Sequence, residues 1–309
     1  MRALVVSNMA PSLMNPGRGS FVRDQVSALR RIPGLGVELF EFAPGLGSYA
    51  PAAIRLRRQF SDAAFDIVHA HFGLTAWPSL AVRSPLHAVT LHGTDVRHPR
   101  TRRITLAALG RMDLVAAVSD SLASEIPAAF SPVAVLPCGV ALERFRPIPR
   151  DAARLALGLD PAGPYLLFPA DPARAAKRFD RARELAGDVQ LLTLGGMAPD
   201  HVTLAINAAN AVLVPSESEG YGLAVLEALA CDVPVLATPV GVHPSALKDV
   251  AGTLCAPYDR ALWMGTLAPL LAQADPRIEG RVRAGEFSSD LMAVRVAEAW
   301  RALTPKRAF

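Results

Sequence analysis

Cysteine is scarce in this chain of 309 residues: Cys138, Cys231 and Cys255 stand singly inside apolar segments. They suggest neither a disulfide framework nor a cysteine metal cluster, so a reducing compartment is expected. No run of 18 apolar residues occurs, and the opening MRALVVSNMAPS has too short an apolar stretch for a signal peptide. A cytoplasmic protein is therefore expected. A GxGxxG dinucleotide fingerprint is missing, which counts against a nicotinamide enzyme. The basic stretches lack interleaved aromatics, so nucleic acid is not an expected partner. His69, His71 and His92 lie at strand ends without the carboxylates and spacing of a convincing metal site.

What the chain does have is apolar content, 51% hydrophobic against 19% charged, and enough length for two domains with cores of their own. Charge is uneven. Residues 1–150 carry 17 Lys and Arg against 10 Asp and Glu, net +7, whereas residues 151–309 carry 15 against 18, net −3. The excess gathers in AAIRLRRQF (Arg55, Arg57, Arg58) and DVRHPRTRR (Arg97, Arg100, Arg102, Arg103). Such clusters are either a solvated face or a contact with an anionic membrane surface or acceptor.

Short apolar runs alternate with helical patterns. Ala3–Val6, Gly36–Ala43, Ile67–Ala70, His87–Leu91, Leu114–Val118 and Val133–Leu136 are strand candidates. Between the first two, Val22, Val26 and Leu29 of Ser20–Arg31 fall on one helical face. Repeated βα units of this kind predict a parallel, doubly wound sheet covered on both faces, with ligands beyond the carboxyl ends of the strands. Pro147, Ile148 and Pro149 mark a linker, giving domains 1–148 and 149–309. In the second, Tyr165–Pro169, Val189–Leu194, Ala211–Val214 and Val233–Thr238 read as strands, and Arg260–Gln273 and Asp290–Leu303 as helices.

The stretch AVLVPSESEGYGLAVLEALACDVPVLATPVG, residues 211–241, joins strand, glycine loop, short helix and strand. Gly220 and Gly222 let backbone approach a ligand, and the helix that follows points N–H groups and the positive end of its dipole at an anion. Glu227 is the odd member of GLAVLEALA. A carboxylate there needs a hydrogen-bond partner, either a backbone amide or a ligand hydroxyl.

Glu219 and Glu227 bracket seven residues, EGYGLAVLE, and here the chain resembles the retaining GT-B glycosyltransferases of family 4, glycosyl transferases group 1, with their Glu-x7-Glu signature. The resemblance implies a GT-B fold, two Rossmann-like α/β domains with doubly wound parallel sheets facing a cleft, the first on the acceptor side and the second holding a nucleotide-sugar donor. It implies that Glu219, Gly220, Tyr221, Gly222 and Leu223 face the sugar and diphosphate and that Glu227 takes the ribose. The HGTD sequence at 92–95 matches the family segment whose histidine lies over the donor sugar, which carries that role to His92. Gly19, in the glycine-bearing loop Asn8–Ser20, lies by resemblance near the donor diphosphate, or the loop is simply a turn. In ADPARAAKRFD, Lys177 matches the family's phosphate-binding lysine. Asp171 stands in the arginine's place, so that role shifts to Arg174. By the same resemblance, Gly196 and Met197 are the expected base contacts.

Several departures accompany the match. Cys138 and Ala141 replace an asparagine-like and an acidic residue, Ser245 or Ala246 stands where a glutamate is usual, and a strand and helix before Ala211 look trimmed. The activity implied is metal-independent, cofactor-free transfer of a sugar from a nucleoside-diphosphate sugar, UDP foremost, to a hydroxyl acceptor, in the cytoplasm or at the inner membrane face. A second enzyme reading is a glycan phosphorylase or sugar-nucleotide epimerase, although the phosphorylase's cofactor-lysine context is missing. The alternative outside catalysis is a degenerate GT-B partner that activates another transferase.

Overall fold

The computed structural model describes residues 1–303. They divide into two compact units. One comprises residues 1–11, 18–139 and 289–303, and the other residues 12–17 and 140–288.

The first unit is built on six parallel strands, β1 (Arg2–Ser7), β2 (Gly36–Glu41), β3 (Ile67–His71), β4 (His87–Leu91), β5 (Leu114–Ala117) and β6 (Ala134–Val135), in the order β2-β1-β3-β4-β5-β6. β1 shows why the strands read as unbroken apolar runs. Ala3 and Val5 join a core with Val22, Val26 and Leu29 of the helix Ser20–Arg30, while Leu4 and Val6 join one with Phe40, Leu56 and Phe65 on the other face. A sheet covered on both sides leaves no face for polar residues. The helix Ser289–Leu303 packs in the first of these cores through Met292, Val296 and Trp300. Trp300 is fully buried, and its indole N–H donates to His69 Nδ1 at 2.9 Å.

The second unit has five parallel strands, β7 (Tyr165–Phe168), β8 (Gln190–Thr193), β9 (Ala211–Val214), β10 (Val235–Ala237) and β11 (Leu254–Cys255), in the order β11-β10-β9-β7-β8. Leu166, Phe168, Leu213 and Leu236 from its sheet meet Leu185, Trp263 and Leu267 from the helices Phe179–Ala186 and Arg260–Leu271. The segment read as a trimmed connection before Ala211 is the helix Pro199–Ala208, started by Pro199 in its first turn. Asn207 and Asn210, at and just past its end, are buried. Asn207 holds the Ile148 N–H and the Arg146 carbonyl, and Asn210 accepts from Tyr165 N–H and Arg154.

Chain order reverses between β1 and β3 in the first sheet and between β7 and β9 in the second, and ligands of open α/β sheets bind beyond the carboxyl ends of strands at such points. No described helix is long and apolar enough to cross a membrane.

Candidate functional site

The second unit gathers most of the candidate residues at its reversal point. β7 leads into a turn in which the Asp171 carboxylate accepts the Ala173 N–H, then into the single turn Ala175–Lys177. β9 leads through Pro215 into the glycine loop. The two loops are joined by the Glu217 N–H to the Ala176 carbonyl at 2.9 Å, and by Arg178, whose guanidinium contacts both Asp180 and Glu217. Between them Lys177 Nζ reaches both oxygens of Glu219, at 2.6 and 2.5 Å, with side chains only 15% and 7% exposed. The Ser216 hydroxyl donates to the same carboxylate at 2.8 Å. A forked, charge-assisted contact in this setting fixes both groups tightly.

Gly222 precedes the helix Leu223–Ala230 with φ +102, a conformation that side chains rarely adopt. Leu223 opens that helix, so the backbone N–H groups at its start lie directly after Glu219, Gly220 and Tyr221. Glu227 sits one turn further along the same helix, half-buried. Gly196 and Met197 form the turn after β8, with Gly195 packed against Asp171, so this turn borders the loop after β7. Arg174, expected to share the diphosphate with Lys177, is exposed on the turn ahead of it.

His243 was not singled out by sequence. It is fully buried, bonds the Thr238 carbonyl through Nδ1 at 2.8 Å, and has no partner for Nε2. A carbonyl only accepts, so Nδ1 carries the proton and Nε2 faces Gly222 as a bare acceptor. A Cβ at Gly222 would lie 2.5 Å from that nitrogen. Burial holds the His243 imidazole below its ordinary range. Thr238 in turn bonds the Ser216 carbonyl, so a continuous polar chain runs from His243 through Thr238 and Ser216 to Glu219 and Lys177. Gly222→Ala is expected to weaken nucleotide affinity and to lower stability by about 1–3 kcal/mol through strain at a positive φ, checked by calorimetry and urea denaturation.

The first unit holds the histidine candidates. His69 and His71 share one face of β3, with rings stacked at a centroid distance of 5.3 Å. Because Trp300 donates to His69 Nδ1, His69 carries its proton on Nε2 and donates it to Thr90 Oγ1 at 2.8 Å. His71 Nδ1 lies 3.0 Å from His92 Nε2, and Phe21 packs edge-on against both rings. Burial lowers the basicity of all three, taking His71 to about 4. Asp95, buried one turn beyond, accepts N–H groups of Gly73, His92 and Gly93, fixing the HGTD turn. Gly19, with φ +73, abuts Met9 and precedes the helix Ser20–Arg30. Among the described residues no group of three or more His, Cys, Asp or Glu could hold a metal ion.

Two family models match: Glycosyltransferase Family 4 over residues 2–144 and Glycosyl transferases group 1 over residues 162–285. The chain is 29% identical to a D-inositol 3-phosphate glycosyltransferase of Mycolicibacterium vanbaalenii, the match covering 84% of this chain and 70% of that one. Among solved structures it is similar to sucrose-phosphate synthase of Thermosynechococcus elongatus, at 18% identity and TM-score 0.74, covering 98% and 99% of the two chains. It is also similar to Anabaena HepE in complex with UDP and glucose, at 15% identity and TM-score 0.72, covering 98% and 100%. Glycosyltransferase models thus match each half of the chain in turn, and the fold beneath both is that of the GT-B glycosyltransferases.

Proposed function

We propose that the protein transfers a sugar from a nucleoside-diphosphate sugar, a UDP-sugar first among them, to a hydroxyl acceptor in glycan, glycolipid or natural-product biosynthesis, with retention of configuration. The observation that carries this reading is the Lys177–Glu219 pair at the reversal point of the second sheet, followed directly by the start of the helix Leu223–Ala230. A departing nucleoside diphosphate accumulates negative charge. An ammonium and a helix N-terminus stabilise it without a metal, and Arg174 adds a second cation from the turn before Lys177.

Glu219, with the backbone of Gly220, Tyr221, Gly222 and Leu223, orients the sugar and diphosphate in this scheme. Glu227 holds the ribose, Gly196 and Met197 meet the base, and Gly19 approaches the diphosphate. His92 acts on the sugar as a neutral imidazole, in keeping with the burial that lowers its basicity. Retention on one face, with the leaving phosphate taking the acceptor proton, needs no protein nucleophile and leaves positioning and electrostatics as the protein's task. The UDP and glucose in the HepE complex support uridine as the first base to test. Arg57, Arg58, Arg100 and Arg103 are exposed, which fits peripheral contact with an anionic membrane face.

Calorimetry of UDP, GDP, ADP and dTDP against the wild type and Glu227→Ala tests the donor site. One nucleotide is expected to bind, with affinity falling about tenfold in the variant through loss of hydrogen bonds to a charged group. No binding by any of the four would overturn the reading in favour of a degenerate partner subunit.

A further inference from the structure

A second recess lies wholly within the first unit. Its volume is about 340 Å³, and it opens among the loops that follow β1, β2, β3 and β4, four neighbouring strands of one sheet. Its walls are apolar: Pro44, Leu46, Phe72 and Leu74. Leu46 stands at 80% exposure on the turn Leu46–Ser48, an apolar side chain held toward solvent. Phe72 holds φ +72, a costly conformation for an aromatic residue, and its ring lies 4.4 Å from that of His92. The same side chain therefore lines the recess and packs on the candidate catalytic histidine.

The polar groups of the lining narrow what it can take. The Tyr49 phenol accepts the Asn8 side-chain N–H at 2.8 Å, which leaves its own O–H to donate. Burial pushes the Tyr49 hydroxyl up in pKa, so it stays a neutral donor at physiological pH. The Thr101 hydroxyl is committed to the carbonyls of Thr94 and His98. The titratable groups of the lining besides Tyr49 are the Asp95 carboxylate and the His98 imidazole, and no lysine or arginine lines the recess. A phosphate placed here would meet that carboxylate, with a single imidazole and no permanently charged cation to offset the repulsion. An aromatic ring or short alkyl chain would instead cover Phe72, Leu46 and Leu74 and remove apolar surface from water.

We propose that this recess is the acceptor subsite, and that it selects an uncharged acceptor whose hydroxyl is carried on an apolar body, in preference to a phosphorylated sugar or polyol. Tyr49 donates to an oxygen of that acceptor, and Phe72 sets the body beside His92. The inference rests on the transferase reading above and gives it a substrate class.

The test uses the full-length protein in two arms. In the first, saturation-transfer NMR without donor compares 4-nitrophenyl and octyl glycosides with glucose 6-phosphate and inositol 1-phosphate. The aryl and alkyl glycosides are expected to bind at least tenfold more tightly. Tyr49→Phe should weaken them by roughly threefold to tenfold through one lost hydrogen bond, and Leu46→Asp, at an exposed position where folding is not at stake, by more. In the second arm the nucleotide that binds the wild type is supplied as its sugar, and acceptor KM is measured for the same panel. Preference for the phosphorylated compounds, or neutral glycosides whose binding is insensitive to both substitutions, would overturn the proposal. Nucleotide binding with no neutral-glycoside binding would sink the acceptor class and leave the transferase reading standing. Glycoside binding without any nucleotide binding would uphold the recess and sink the transferase reading.

Discussion

Lys177→Met is expected to lower donor kcat/KM by roughly 10²–10³-fold, the usual consequence of removing a preorganised electrostatic group from the position where charge develops. Lys177 and Glu219 are nearly buried and share two contacts of 2.5–2.6 Å, so the substitution also takes the ammonium away from a nearly buried carboxylate. Removing the cation from a largely desolvated carboxylate costs about 1–3 kcal/mol, seen as a fall in the urea midpoint. The two effects separate in the double variant Lys177→Met with Glu219→Gln. Neutralising the second partner is expected to restore most of the stability and none of the activity. Lys177→Arg keeps the charge but replaces a compact ammonium by a planar fork, and is expected to recover only part of the rate. Activity within fivefold of wild type in Lys177→Met would remove this pair from the mechanism.

Why the sequence announced one half of that pair more clearly than its setting is a matter of range. Strands buried on both faces leave a local trace, and Ala211–Val214 and His87–Leu91 carry the same bounds in the sequence reading and in the structure. The helix read as Asp290–Leu303 is Ser289–Leu303, because its apolar residues repeat at helical spacing. β11, two residues long, has no pattern to detect, and the helix Pro199–Ala208 hid in a segment too short to look like an element. The contact between Lys177 and Glu219 spans 42 positions and follows from the strand order, which places β7 beside β9. His243 left no signal at all: a lone histidine before a proline looks like a turn residue, and only its packing under Gly222 gives it weight. Arg174 is a different case. Its place in the segment suggested a phosphate ligand, while its neighbour Arg178, which the segment gave no role, is held by Asp180 and Glu217 and ties the two loops together. The recess at Tyr49 and Phe72 draws on four separate loops, none of them distinctive alone.

Acidification is expected to destabilise the first unit before it affects most carboxylates. Burial pushes the His71 imidazole down to about 4 in the folded protein, against 6.5 for an ordinary histidine. Between those two values the unfolded chain takes up a proton that the folded chain refuses. Stability therefore falls as pH drops through 6.5 and continues to fall until about pH 4. The loss from His71 alone is about 3 kcal/mol, at about 1.4 kcal/mol for each unit. His69 and His92 are displaced in the same direction, His69 by burial and the His71 charge, His92 by burial and both neighbours, so they add to the loss. Asp95 works the other way. Burial raises its carboxyl against the N–H groups that lower it, so the folded protein takes up that proton more readily and recovers part of the loss at the acid end. Urea denaturation at pH 7.0, 5.5 and 4.5, followed by far-ultraviolet circular dichroism, should show the midpoint falling steadily. His71→Asn keeps a polar atom for His92 and carries no titrating group, and is expected to flatten the profile by about the His71 share. A wild-type midpoint that does not move between pH 7.0 and 4.5 would mean that the three imidazoles are open to water, contrary to the packing of Phe21 and Trp300 against them.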